Sequence, residues 1–360
     1  MIPWLIDDLL RCLKRAKPWK LKVVVMPDFF IDRFLIYPAE VEQFSSVLAQ
    51  VAARLGGNIH GVRQMEIRGG NAANAAAALA TLGAKVYPII TTGPLGLHLL
   101  KFYLEPVGAD LTYVKSDGET ALTTAFELNY HGEHVNLMLG DLGSLPNFGP
   151  ENLTERDFEM LQDADYVCVF NWASTSRWGT DLAEKVFCHV KEKGKGKTYF
   201  DTGDPTPNKK NIPGLGQRVL SKKLIDIFGV NENEAFVYAN HFSPKLKKVQ
   251  KKPEHELAKE CARVLVKHIS ARVDLHTSFF AGSFTKHRET VVPSFNITAL
   301  RSTGAGDAWN AGNIFGDALD IPDSCRLTLA NAVAAYYVSS PKAEHPTLSQ
   351  LIEFCSKQQE

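Results

Sequence analysis

Apolar residues along the chain follow two rhythms. Short aliphatic or β-branched runs at 21–26, 86–92, 166–170, 197–200 and 225–230 read as strands covered on both faces, where in-and-out alternation is lost. Between and after them, apolar positions recur every three or four residues at about 180–192, 255–268, 327–338 and 346–357, the spacing of helices with one covered face. Strand and helix in alternation predict a doubly wound α/β fold on a mostly parallel sheet. Other segments add to this frame. Residues 40–55 carry a helical pattern and 63–68 an extended one, while 120–139 reads as strand, His131-Gly132 turn, strand. Residues 4–15 place Trp4, Ile6, Leu9, Leu10 and Leu13 on one stripe ahead of Pro18, which predicts an amphipathic helical extension over 1–20 that docks on the main domain or on a second subunit.

The strand ends carry the polar groups. The run at 166–170 is followed by Asn171-Trp172, 197–200 by Asp201-Thr202-Gly203-Asp204, and 225–230 by Asn231-Glu232-Asn233-Glu234. Ligands of parallel α/β sheets bind at those C-terminal ends. The first strand leads into Pro27-Asp28-Phe29-Phe30-Ile31-Asp32, where Asp32 sits among apolar neighbours and a surface turn is the plainer reading of Asp28.

Two glycine turns open directly into helical patterns. From 300 to 312 the chain reads Leu-Arg-Ser-Thr-Gly-Ala-Gly-Asp-Ala-Trp-Asn-Ala-Gly, with Ala308, Ala311, Phe315, Ala318 and Leu319 continuing a one-faced helix. Gly304 and Gly306 allow close backbone approach, and the first amides of a helix have no internal acceptor, so an anion fits there. Asp307 is a carboxylate in that cradle. It reads either as the helix N-cap or as a base that takes a proton from a hydroxyl attacking a phosphoryl group. The second turn, Gly69-Gly70-Asn71-Ala72-Ala73-Asn74, precedes an alanine-rich helix that stops at Gly83. Asn71 and Asn74 can both donate and accept, which suits a polyhydroxylated ligand, although Asn71 could equally cap the helix.

Composition narrows the function classes. Lys plus Arg equals Asp plus Glu at 40 each, so nothing argues for nucleic acid or an anionic membrane as partner. The basic runs at 191–197 and 245–252 lack interleaved aromatics and read as solvated faces. Six cysteines without a C-x-x-C pair predict reduced thiols in a cytoplasmic protein. No apolar stretch approaches membrane-helix length, and Asp7, Asp8 and Arg11 argue against a secretory signal at the start.

Neither a Walker A sequence nor G-x-G-x-x-G is present. Instead Gly69-Gly70-x-x-Ala73-Asn74, Asn231-x-x-Glu234 and Thr303-Gly304-Ala305-Gly306-Asp307-Ala-Trp-Asn-Ala-Gly312 follow one another in this order, and with them the chain resembles the ribokinase/PfkB family of carbohydrate and nucleoside kinases over about 21–355. The resemblance implies a ribokinase-like three-layer domain over 21–360, with a small β lid from about 31–68 and 115–140. It implies a Mg²⁺-dependent kinase that moves a phosphoryl group from ATP, or from ADP, to a hydroxymethyl group of a sugar or nucleoside. Asp307 would be the general base, and the turn Gly304, Ala305, Gly306, Asp307 the anion hole. Asp32, Gly70, Asn71, Asn74 and Asn171 would contact the acceptor. Asn231, Thr277, Gly282, Thr303 and Asn331 would contact the nucleotide, and Asn231 and Glu234 would act on Mg²⁺ through water.

Two positions depart from the family pattern. Arg301 stands where an aspartate is usual in a segment that binds a monovalent cation, so the arginine replaces that cation or binds an extra phosphate. Phe279 stands where the nucleotide strand end has glycine. A narrower reading is a kinase of a sugar phosphate, such as ribose 1-phosphate or fructose 6-phosphate, with Arg33, Arg63, Arg68, Arg177 or Arg301 holding the phosphate. A reading from another class is a catalytically silent sugar- or nucleotide-binding regulator. A lid with exposed sheet edges leaves a homodimer through the lid open.

Overall fold

A computed structural model describes residues 2–15, 20–244 and 254–358. The basic run at 245–252 lies outside the described residues. Twelve strands form two sheets, numbered along the chain as β1 (Lys22–Met26), β2 (Phe30–Glu40), β3 (Arg63–Gly69), β4 (Lys85–Pro88), β5 (Ala121–Tyr130), β6 (Glu133–Asp141), β7 (Tyr166–Val169), β8 (Lys197–Asp201), β9 (Ile227–Val230), β10 (Arg272–His276), β11 (Phe280–Phe284) and β12 (Glu289–Pro293). The larger sheet has the order β12-β11-β10-β9-β8-β7-β1-β4. It is parallel from β4 to β10 and antiparallel only at β10-β11-β12.

Successive strand residues serve opposite faces, and the core divides accordingly. Val23 and Val25 of β1 join one apolar cluster, and Val24 and Met26 the other. The first face is covered by α1 (Pro3–Arg15), α3 (Asn71–Thr81), α4 (Pro94–Leu104), α10 (Ala305–Ala318), α11 (Asp323–Ser339) and α12 (Leu348–Lys357); α2 (Val41–Ala53) belongs to the lid. The second face is covered by α5 (Glu155–Asp163), α6 (Gly179–Lys193), α7 (Ile212–Leu215), α8 (Glu232–Phe242) and α9 (Glu254–His268). This is the three-layer, doubly wound arrangement that the alternating pattern predicts. In α1 the covered residues are Leu5, Ile6, Leu9 and Leu13, whereas Trp4 is 55% exposed, so the buried stripe is turned relative to the predicted one. Among the described residues, no helix is long and apolar enough to cross a membrane.

The smaller sheet, order β3-β2-β5-β6, is the β lid. Its β5-β6 hairpin turns at His131 and Gly132, with φ of 53° and 79°, the left-handed pair that matches strand twist in a two-residue turn. The long stretch between Asp32 and Gly69 contains α2, which packs on β2 and β5 by setting Phe44 between Tyr37 and Phe126, at 5.1 and 5.6 Å.

Under the antiparallel edge lies a buried ionic network. Arg326, only 1% exposed, donates to Asp274 at 2.8 Å, to Asp323 at 2.9 Å and to the Ser283 hydroxyl at 2.8 Å. Asp274, fully buried, also accepts from Arg272 at 2.8 Å and from Asn313 at 2.9 Å. Burial pushes the Asp274 carboxyl up, but Arg272 and Arg326 together hold it well below the usual carboxylate range. Removing one member leaves a buried charge uncompensated. Asp274→Ala is therefore expected to cost about 3–5 kcal/mol of stability, read from urea denaturation.

Candidate active site

The C-terminal ends of β1, β7, β8 and β9 and the N-termini of α3, α8 and α10 converge on one acidic centre. Gly304 starts α10 from a left-handed conformation, φ 81°, so the capping residue is the glycine and not Asp307. A side chain there would meet the Tyr337 hydroxyl at 2.6 Å, and one at Gly306 would meet the His276 ring at 3.1 Å. The Ala305 amide is already bonded to the Ser302 carbonyl at 3.1 Å. The next amides of the first turn, those of Gly306 and Asp307, carry no such bond and are the ones open to an anion.

Asp307 is 5% exposed. Its two oxygens accept from side-chain amides of α3, Asn71 Nδ2 at 2.8 Å and Asn74 Nδ2 at 3.0 Å. Neither asparagine is spent on capping, since Gly70 is the α3 N-cap. Among the described residues no Lys or Arg lies within ion-pair distance of Asp307. Burial pushes its carboxyl up to about 8, with repulsion from Asp201 and Asp28 adding to it and the two amide donors opposing it.

Asp28 carries more than a surface turn would. It is fully buried and accepts from the amides of Asn71 at 2.8 Å and Ala72 at 2.9 Å, and from Asn171 Nδ2 at 2.8 Å. It thereby ties the start of α3 to the end of β7. Asn171 is consequently committed to Asp28 and stands one step behind the acidic centre. Asp32 is half-buried, with its carboxylate against Gly69. Burial lifts its carboxyl to about 6, against a bond from Thr123. Gly69 has no room for a side chain because the Asp32 carboxylate lies over its Cα, and one at Gly70 would strike the Phe29 backbone at 2.8 Å. Asp201 is held by the Gly203 amide at 2.9 Å and by Asn310 of α10 at 2.6 Å.

Asn231 and Glu234 form a reciprocal cap on α8. Glu234 accepts from the Asn231 amide at 2.9 Å and its side chain at 2.8 Å, while Asn231 accepts from the Glu234 amide at 3.0 Å. Burial, then repulsion from Asp201, raises Glu234 well above the carboxylate range. Among the described residues no group of three or more His, Cys, Asp or Glu is arranged to ligate a metal directly.

A cavity of about 370 Å³ extends from the cradle, lined among others by Ala305, Gly306, Trp309, Thr277 and Asn331. Asn331 accepts from the Trp309 indole at 2.9 Å and donates to the Pro293 carbonyl at 3.0 Å. Two predicted nucleotide residues do not line this cavity. Gly282 is inside β11, where the Phe284 ring occupies the space of a side chain at 2.6 Å. Thr303, next to the Gly304 cap, lines an adjoining cavity of about 640 Å³ that shares Ala299, Arg301 and Ser302 with the first. His276, at the end of β10 and next to the predicted Thr277, also lines the first cavity. Its ring lies 5.0 Å from that of Trp309, tilted by 32°, beside the cradle, its Nε2 is buried without a partner, and burial lowers its pKa to about 4, which keeps it neutral. Arg301 donates to the carbonyls of Ser340, Tyr337 and Pro341 at the C-terminus of α11, the place where a helix dipole favours a cation.

Comparison with known proteins adds a family and a fold. The pfkB family carbohydrate kinase profile matches residues 44–350. Among solved structures, a putative ribokinase II from E. coli in complex with ATP and Mg²⁺ is 17% identical with a TM-score of 0.70, covering 94% of this chain and 99% of that one. Adenosine kinase from Sinorhizobium meliloti is 15% identical, TM-score 0.69, with coverage of 94% and 99%. Fructokinase with bound ATP from Xylella fastidiosa is 18% identical, TM-score 0.69, with coverage of 95% and 100%. No curated protein matches the sequence. At these identities the likeness is one of fold.

The raised Asp307 carboxyl makes stability depend on pH. Between about 4 and 8 the folded state holds a proton that the unfolded state has released, so stability falls as pH rises through that window. Asp307→Asn removes this loss. Its stability advantage over the wild type is expected to widen by roughly 2–4 kcal/mol between about pH 5 and pH 8, measured by denaturation at both.

Proposed function

The chain belongs to the pfkB family of carbohydrate kinases, and on that premise we propose that it transfers a phosphoryl group from ATP or ADP to a hydroxymethyl group of a sugar or nucleoside, with Asp307 as the general base. The observation that carries this reading is the Asp307 carboxyl, buried beside the α10 cradle and held near neutrality between two neutral amide donors.

A base with a pKa close to the working pH is both ionised and able to keep the proton it takes. The acceptor hydroxyl gives its proton to Asp307 as its oxygen bonds to the terminal phosphorus and the bond to the departing nucleotide breaks. The amides of Gly306 and Asp307 receive the charge on the transferred group, and they cost no reorganisation because the helix has already oriented them. Asn71 and Asn74 fix the carboxylate and keep it aimed. Asp32 suits hydroxyls of the acceptor. The cavity walled by Trp309, Thr277 and Asn331 suits the nucleotide base, where His276, neutral and unspent, offers one further polar contact.

Mg²⁺ fits the donor set through water and not directly. Glu234 is a buried carboxylate with no Lys or Arg in ion-pair range among the described residues, close enough to Asp201 and Asp204 to be repelled by both. When bound, the ion would neutralise phosphate charge. Glu234 and Asn231 would orient the water around it. The lid, closing over the acceptor, would exclude water and limit hydrolysis of the donor. Its edge strand β6 exposes Leu137, Met138 and Leu139, which favours a homodimer through the lid, and nucleotide and Mg²⁺ as co-substrates suit the cytoplasm.

Asp307→Asn is expected to lower kcat by about 10²–10⁴ in a nucleotide-consumption assay with ATP or ADP over a panel of sugars, nucleosides and sugar phosphates. Full turnover in that variant would remove Asp307 as base, and binding without turnover in the wild type would favour a silent regulator. Glu234→Gln is expected to raise the Mg²⁺ concentration for half-maximal rate by roughly tenfold or more. The kcat/KM of the wild type should rise with pH to a plateau above about 8, as Asp307 of the free enzyme ionises.

A further inference from the structure

A third cavity, of about 560 Å³, lies between α3, α4, the end of β3 and the segment after α11, and has no part in the chemistry above. At its wall Arg68 donates from Nε to Asn74 Oδ1 at 3.0 Å and from Nη2 to His345 Nε2 at 3.0 Å. A guanidinium can only donate, so His345 Nε2 is the acceptor and its proton sits on Nδ1. That Nδ1 is buried without a partner on a residue 8% exposed, and burial with the neighbouring Arg68 keeps the ring neutral. Arg68 itself has no carboxylate within ion-pair distance among the described residues; its direct contacts are neutral acceptors and the Tyr103 face at 5.8 Å, and Asp307 acts on it only from beyond Asn74. Burial opposes that charge.

A desolvated cation without a counter-charge in contact is costly, and so is a buried N–H without an acceptor. Here both occur side by side at one cavity. Of the other charged residues lining it, exposed Lys342 adds positive charge, Glu66 is already paired with Arg33, and Glu344 is exposed. The other arginines considered as phosphate ligands are engaged or exposed. Arg33 pairs with Glu66, Arg177 donates to Asn147 at 3.1 Å, Arg301 holds the α11 carbonyls, and Arg63 is exposed.

We propose that this cavity is an anion site that takes the phosphate group of a small molecule on Arg68 and Lys342, with the Nδ1–H of His345 as a further donor. The bond from Arg68 to Asn74, and from Asn74 to Asp307, couples the site to the reacting carboxyl. Its existence does not depend on the kinase reading, whereas its link to the acceptor rests on it. The phosphate belongs either to the acceptor itself or to a separate effector.

The test is a titration with inorganic phosphate, read by calorimetry and thermal denaturation, on wild type, Arg68→Gln and Lys342→Ala, each saturated with nucleotide so that the cradle is filled. The wild type should bind phosphate and unfold at a higher temperature. Arg68→Gln should bind roughly tenfold to a hundredfold more weakly, and Lys342→Ala several-fold more weakly. Without phosphate, Arg68→Gln should be at least as stable as the wild type, because it removes a buried charge with no carboxylate in contact; a purely structural arginine would give a loss. If Arg68→Gln does not fold, Lys342→Ala decides alone. Absent binding, or equal binding in wild type and variants, overturns the proposal. Kinetics then separates the sources: competition between inorganic phosphate and a phosphorylated acceptor assigns the site to the acceptor, and an altered kcat without competition assigns it to an effector. Because the titration needs no turnover, a failure of the kinase reading leaves it readable.

Discussion

A carboxylate at the N-terminus of α10, shut away from water and met only by neutral amides, is the constraint around which the site is built. Holding Asp307 there requires α3 and α10 to approach closely enough for two short asparagine side chains to span the gap. The run of alanines from Ala72 to Ala80, nearly all buried, makes that approach feasible. On the other flank, Gly312 of α10 leaves no room for a side chain because the Ala330 backbone of α11 would stand 2.8 Å from it. Small residues on both sides thus set the position of one helix start, and the helix start sets the cradle. Asp28 completes the arrangement by pinning the first amides of α3 to the end of β7.

Charge is distributed with a purpose that burial alone does not dictate. Asp28, Asp201, Glu234 and Asp307 gather at the strand ends with amides in place of cations, so each is pushed toward protonation and repels the others. The structural acid Asp274 has the opposite treatment, with two arginines on it. An acidic centre left short of positive charge suits a reaction that takes up a proton and works with a divalent cation. Arg68 reaches Asp307 only through Asn74 and also borders a separate cavity, while Arg301 is spent on the end of α11.

How much of this could be read from the chain depended on how local the signal was. The buried strands, the His131-Gly132 hairpin, the helix at α2 and the two glycine turns are written in runs of a few residues, and their positions follow from periodicity and turn chemistry. The resemblance placed Asn71 and Asn74 on the acceptor, but that they hold Asp307 was not legible, since the bond spans the chain. The burial of Asp28 and the place of His276 beside the cradle were hidden for the same reason. A carboxylate after a strand looks like a turn until its partners, Asn71, Ala72 and Asn171, are brought to it. Gly282 errs in the other direction: a glycine in a family position reads as a ligand contact, whereas its neighbour Phe284 explains it as packing.

The central claim is that burial holds Asp307 as a base near neutrality, and its carboxyl titration tests this most directly. Carbon-13 NMR of protein labelled at the aspartate carboxyls, with Asp307→Asn to assign the signal, should give a midpoint for Asp307 near 8 in the free protein. A midpoint near about 4, that of an ordinary aspartate, would contradict the account, because the carboxyl would then be a solvated or charge-paired group and no poised base.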